Sequence, residues 1–371
     1  MTLIQWLHKN KALRLLIPVV IITTSTVAWA QQETAPIRFQ KEKIALASDA
    51  SFYVLDVIDG RNTPGASMGT IVEYTKVRPL MADARLERSL YEYWSYSTPA
   101  RNENMIPVTI TVKDFAINEK RVAPNKISGD FSIHLSFGWT RQAVPVDLTQ
   151  YQAKVSYTRP ETPYDHEALA RRLMAAGLKH LDKWIKENEG KNPALARGVK
   201  LVFVDKPYQD TRDTVFYRPE RKLTWTDFQG VSSRPGSNYA AAVFTSLSYE
   251  GAARMKEKHL EIEISVKTFM VKSMSWSRSS AHNDYTLRHE QLHFDVTRLV
   301  AERFKERLKK IDLTIEDHDS QIQYEFLEAF RDMDREQKSY DGQTQHGLNT
   351  GAQAMWDQKL TEEIARLYQI P

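Results

Sequence analysis

The stretch Leu287-Arg288-His289-Glu290-Gln291-Leu292-His293-Phe294-Asp295, LRHEQLHFD, places two histidines four residues apart with a glutamate directly after the first. Leu292, Val296, Val300, Phe304 and Leu308 recur around it at helical steps, which predicts one amphipathic helix from about Asp284 to Lys310. At 100° per residue the two imidazoles lie about 40° apart, so both can reach one ion from the same face. Glu290 points about 100° away from His289. It can reach a water held on a metal more readily than it can join the ligands. In that arrangement zinc lowers the pKa of the water and the carboxylate takes its proton. The bland alternative is a pair of core histidines satisfied by hydrogen bonds. Both fall on the inward apolar face, where an imidazole needs either such partners or a metal.

The chain has no cysteine, so a disulfide framework and a thiolate zinc site are both excluded. A metal here needs His, Asp or Glu ligands, which suit an open catalytic zinc. Two histidines do not complete such a site. A third histidine further along the same helix is ruled out, because the required positions hold Val296 and Leu299. Glu328-Ala-Phe-Arg-Asp332, on a second helix predicted over 320–337, offers a glutamate. His346, in the glycine-bearing loop SYDGQTQHGLNTG (339–351), offers an imidazole.

Outward from this motif the C-terminal half reads as two strands, AAVFTSLSYE (241–250) and HLEIEISVKTFM (259–270), followed by three helices, the last from about Ala352 to Tyr368. A Pro-rich, charged stretch at 205–220 and the turn SSRPGSN (232–238) precede them. The N-terminal half alternates as strands in 44–56, VTITV (108–112), FSIHLSF (131–137) and YQAKVSY (151–157). Residues 166–188 repeat apolar positions as a helix, and KLVFV (200–204) reads as a buried strand closing that half. The expectation is an α+β chain of two domains, 31–204 and 205–371.

Residues 1–30 stand apart. Lys9, Lys11 and Arg14 precede an apolar run, and Ala28-Trp29-Ala30 is a small-x-small site, the layout of a secretory signal peptide. The run is short for a stable membrane span, and no second one follows. The expected product is periplasmic or secreted. Without those three basic residues the formal charge of +4 falls to near +1, so the balance gives no reason to expect a nucleic-acid partner.

Trp225, Asp227 and Phe228; Ser275 and Trp276; His289 to Asp295; Tyr340, Asp341, Thr344, His346 and Gly347; and Gln353 with Trp356 occur in an order that resembles the bacterial domain-of-unknown-function-922 family. The resemblance covers roughly 205–370. That family is described as predicted secreted zinc-dependent proteases. The resemblance implies a C-terminal zincin-like domain, with His289, His293 and His346 holding zinc and Glu290 as the base in peptide hydrolysis. It favours His346 over Glu328 as third ligand. Tyr340 could donate to an oxyanion, and Asp341 or Asp295 could orient the ligating imidazoles. Trp225, Trp276 and Trp356 are expected in core or pocket wall. The implied partner is a peptide or protein substrate, or cell-wall material. Two other classes stay open: a zinc-stabilised envelope protein without turnover, and a metal hydrolase acting on cell-wall amides.

Overall fold

The computed structural model describes residues 33–47, 50–231 and 239–368. The expected export segment and the turn at 232–238 lie outside them. Among the described residues no helix is long and apolar enough to cross a membrane.

The N-terminal part is a seven-stranded sheet with two helices. Its elements are β1 (Ala35–Ile37), β2 (Phe52–Asp59), β3 (Gly69–Glu73), β4 (Lys76–Ala82), α1 (Leu86–Ser95), β5 (Ile106–Ala123), β6 (Lys126–Arg141), β7 (Val144–Arg159) and α2 (His166–Asn188). The sheet runs β1-β4-β3-β5-β6-β7, with β2 also paired to β5. Long antiparallel ladders join β5, β6 and β7. Phe131, Ile133, Leu135 and Phe137 of β6 are buried on one face, as their period of two predicts. Leu169, Leu173, Leu178, Leu181 and Ile185 of α2 join the same core, which also takes Tyr93 and Trp94 of α1. Gly177 lets α2 approach β6 closely: a Cβ there would stand 2.7 Å from Leu135 Cδ1. Helix α1 was not expected, and the strand read from residue 44 begins only at Phe52.

The C-terminal part contains β8 (Val199–Phe203), β9 (Thr214–Phe216), β10 (Ala241–Ala242), β11 (Thr245–Lys256), β12 (His259–Val271), β13 (Trp276–Ser277), α3 (Asp284–Leu308), α4 (His318–Thr344) and α5 (Thr350–Tyr368). Strand β12 pairs antiparallel with β11 and β9 and parallel with β8. The last pairing differs from the expectation for one strand. The strand at 199–203 was expected to close the first domain, yet it belongs to the second sheet. The cores accordingly divide between Leu195 and Ala196, not at 204.

Helix α3 is capped by Asn283, whose side chain accepts from the Thr286 N–H at 2.9 Å. Val300, Phe304 and Leu308 pack it on the sheet, and Leu292, Val296 and Leu299 pack it on α4 and α5. The expected second helix is longer than its sequence suggested. It continues through Ser339, Tyr340 and Asp341 to Thr344, and the loop shrinks to 345–349. Gln345 and His346 take left-handed backbone (φ 51° and 54°), and Gly347 follows at φ 84°. A Cβ on Gly347 would sit 3.5 Å from His289 Nδ1, so this turn brings the chain against α3.

Candidate metal centre

The fold brings together His289, His293 and Asp341, whose ligand atoms all lie within 4.8 Å of one another. Asp341 Oδ1 is 3.0 Å from His293 Nε2 and 3.4 Å from His289 Nε2. The two imidazole rings stand nearly perpendicular, with centroids 5.0 Å apart.

The outer nitrogens decide what these contacts mean. Gln337 spends its amide Nε2 on the His293 carbonyl (2.9 Å) and Thr297 Oγ1 (3.0 Å). Its Oε1 is left to accept from His293 Nδ1. Gln353 donates through Nε2 to the Tyr285 carbonyl, and its Oε1 lies 3.1 Å from His289 Nδ1. On His293 this places a proton on Nδ1 and turns Nε2 towards Asp341; on His289 the Tyr340 hydroxyl, 2.8 Å from Nδ1, competes with Gln353 for that nitrogen. Asp341 Oδ1 is buried, and its nearest polar neighbours are the two imidazole nitrogens. A carboxylate so placed is stabilised by a positive charge, either a proton on His293 or an ion held by all three residues.

A tetrahedral ion with bonds of about 2.0–2.1 Å sets its ligands about 3.3 Å apart. Two of the three spacings, 3.0 and 3.4 Å, are near that value, the third is within 4.8 Å, and the two-nitrogen, one-oxygen donor set is of the kind zinc accepts. Burial opposes ionisation of Asp341, but the two imidazoles outweigh it and hold the carboxyl below the usual range. Burial likewise opposes charge on His293, and the Asp341 and Glu290 carboxylates outweigh it and push its pKa up.

Glu290 is buried beside this group, and its Oε2 accepts from the Val243 N–H at 2.9 Å. Burial pushes its pKa up, and the His293 and His289 charges only partly offset that. Glu290, the two histidines and Asp341 line one cavity of about 580 Å³, walled by residues 239–245 on one side and by Tyr285, His346 and Leu348 on the other.

The remaining expected residues fall elsewhere. His346 lines the cavity but is not among the converging ligand atoms. Its side chain is 46% exposed, with Nδ1 3.5 Å from Asp341 Oδ2. Glu328 pairs with Arg331 along the surface of α4. Tyr340 is fully buried, not open to a substrate. Its ring stacks on His289, with its hydroxyl 2.8 Å from Nδ1. Asp295 does not touch the imidazoles and instead binds Tyr217, Gln291 and Arg288. Trp356 is buried against Tyr340, whereas Trp225 stacks on His282 and Trp276 lies in β13.

Asp341, expected as a possible partner of the imidazoles, lies against both and joins the converging group itself, whereas Gln337 as the partner of His293 was missed. One signal was available. Gln337, Tyr340, Asp341 and Thr344 follow an i, i+3, i+4, i+7 pattern, the face that a continued helix would present.

No family model matches the chain. No curated protein matches it either. Among solved structures it is similar to an uncharacterized protein at 12% identity and TM-score 0.22, over 42% of this chain and 99% of that one. A Xanthomonas campestris protein of family DUF330 gives 8% identity and TM-score 0.25, over 40% of this chain and 90% of that one. Likenesses this weak carry no argument about fold or activity.

Proposed function

We propose that the chain is an exported zinc-dependent peptidase with a zincin-like C-terminal domain. The observation that carries this reading is the convergence of His289, His293 and the buried Asp341, whose ligand atoms lie within 4.8 Å of one another, in the cavity that also holds Glu290. His289, His293 and Asp341 would hold the ion. Zinc there supplies a Lewis acid that polarises an amide carbonyl and acidifies a coordinated water.

Glu290 does the proton work. The Val243 N–H fixes one carboxylate oxygen, and the raised pKa suits a group that takes a proton and then returns it. Its carboxylate takes a proton from water as the oxygen adds to the acyl carbon. The same proton goes to the amine nitrogen as the C–N bond breaks. Water is consumed, and an acid and an amine leave. Among the described residues β10 pairs on one side only, with β13, so an extended peptide could add beside Ala241-Ala242 along the cavity wall. The resemblance of the motifs to the domain-922 family, which no family-model match accompanies, and the basic-apolar segment at 9–30 are in keeping with the same reading.

The test is to incubate zinc-loaded protein with an unfolded protein and, separately, with cell-wall fragments. New amino termini on the unfolded protein are expected. Release from the cell-wall fragments alone would replace the peptidase reading with a cell-wall amidase. Intact substrates in both would leave a non-catalytic zinc protein.

A further inference from the structure

The cavity carries information about its substrate in the side chains it leaves exposed. Leu348 is 82% exposed, Tyr239 48%, Tyr285 41% and Phe244 40%, and all four line the cavity that holds Glu290. They come from separate parts of the chain: the strand segment at 239–245, the first turn of α3 and the turn after α4. Exposed apolar side chains are unremarkable when scattered, but their gathering on one concave surface marks a place where apolar groups bind.

Charge narrows the substrate further. Among the described residues no lysine or arginine lines this cavity. One divalent ion would balance its carboxylates, Glu290 and Asp341. Among the described residues, then, a substrate carboxylate meets no side-chain cation here and a substrate ammonium no spare carboxylate. Chain ends and charged side chains lose their hydration here without compensation. Cell-wall cross-links carry such charges close to their amides, whereas the interior of a polypeptide does not.

Resting on the peptidase reading above, we infer that the site cleaves within polypeptide chains, next to bulky apolar residues, and is an endopeptidase for apolar segments. Tyr239, Phe244, Tyr285 and Leu348 set that preference. The volume of about 580 Å³ is ample for the two residues flanking a scissile bond.

Binding and cleavage are measured separately. Zinc-loaded Glu290→Gln protein, which keeps the cleft but lacks the base, is titrated with two dipeptide-amide hydroxamates, one leucyl-phenylalanyl and one aspartyl-aspartyl. The apolar compound is expected to bind at least about tenfold tighter, and Leu348→Lys to remove most of that difference with zinc content unchanged. Equal affinities, or tighter binding of the acidic compound, would overturn the inference. The wild-type zinc protein is then given a mixed peptide digest with blocked termini, and its cuts are mapped by mass spectrometry. Internal cuts beside Leu, Phe, Met or Tyr are expected, and cuts beside charged residues or only near chain ends would overturn it. Discrimination between the hydroxamates without cleavage of any peptide would keep the cleft preference and dismiss the peptidase reading.

Discussion

Asp341 Oδ1 stands 3.0 Å from His293 Nε2 and 3.4 Å from His289 Nε2. Gln337 Oε1 accepts from the other nitrogen of the His293 ring and so fixes its orientation towards the carboxylate. On the proposed reading, a zinc ion takes the place of any proton between these groups.

Asp341→Ala should therefore lose zinc, and His346→Ala should keep it. Metal content after dialysis, measured by plasma mass spectrometry, is expected near one equivalent for wild type and His346→Ala and near zero for Asp341→Ala. Glu328→Gln should match wild type, because that side chain is occupied with Arg331.

Removing the partner of a ligand should weaken the metal without removing it. Gln337→Leu deletes the acceptor that orients His293. Zinc affinity, read by competition with a chelating dye, is expected to fall about 10–100-fold. An unchanged affinity would mean that the ring needs no such support.

Glu290→Gln separates chemistry from scaffolding. General-base contributions run to roughly 10²–10⁴-fold, so peptide hydrolysis should drop by that order. Zinc content and melting temperature should stay near wild type, since a carboxamide of equal size fills the same space. A normal rate in this variant would remove Glu290 from the reaction.

The active-site helix was legible because its pattern is local. Histidines at i and i+4 and a helical apolar stripe lie within about seven turns of one element. The helical placement of Asp341 was hidden by Gly342, which reads as a breaker after Ser339-Tyr340. In the fold Gly342 is an ordinary helical residue with nothing near its missing Cβ. Its loop signal was local propensity overridden by packing of Tyr340 against α3 and α5. Strand β8 was misassigned for the opposite reason. Its parallel partner β12 lies some sixty residues away, and no local pattern announces such a pairing.

The N-terminal domain has its own buried charge to test. Glu119 is enclosed, and its carboxylate accepts from Arg159, Tyr157, the Val72 N–H and His166. Burial raises its pKa, but Arg159, His166 and Val72 outweigh that and hold it far below the usual value. Because the folded pKa is depressed, the stabilisation is complete above the unfolded value of about 4.3 and is lost as pH falls below it. Glu119→Ala leaves Arg159 buried without its partner and is expected to cost about 3–5 kcal/mol at neutral pH. Denaturant unfolding of both proteins at neutral pH and at about pH 3 should show the gap narrowing in acid. A gap independent of pH would place the loss in packing.

The central claim is that one zinc ion sits among His289, His293 and Asp341, and anomalous diffraction at the zinc edge tests it most directly. A crystal of the zinc-loaded protein should give one strong peak about 2.0–2.2 Å from His289 Nε2, His293 Nε2 and an Asp341 carboxylate oxygen. A peak bonded to His346 with Asp341 turned away, or no peak between the two helices, would contradict it.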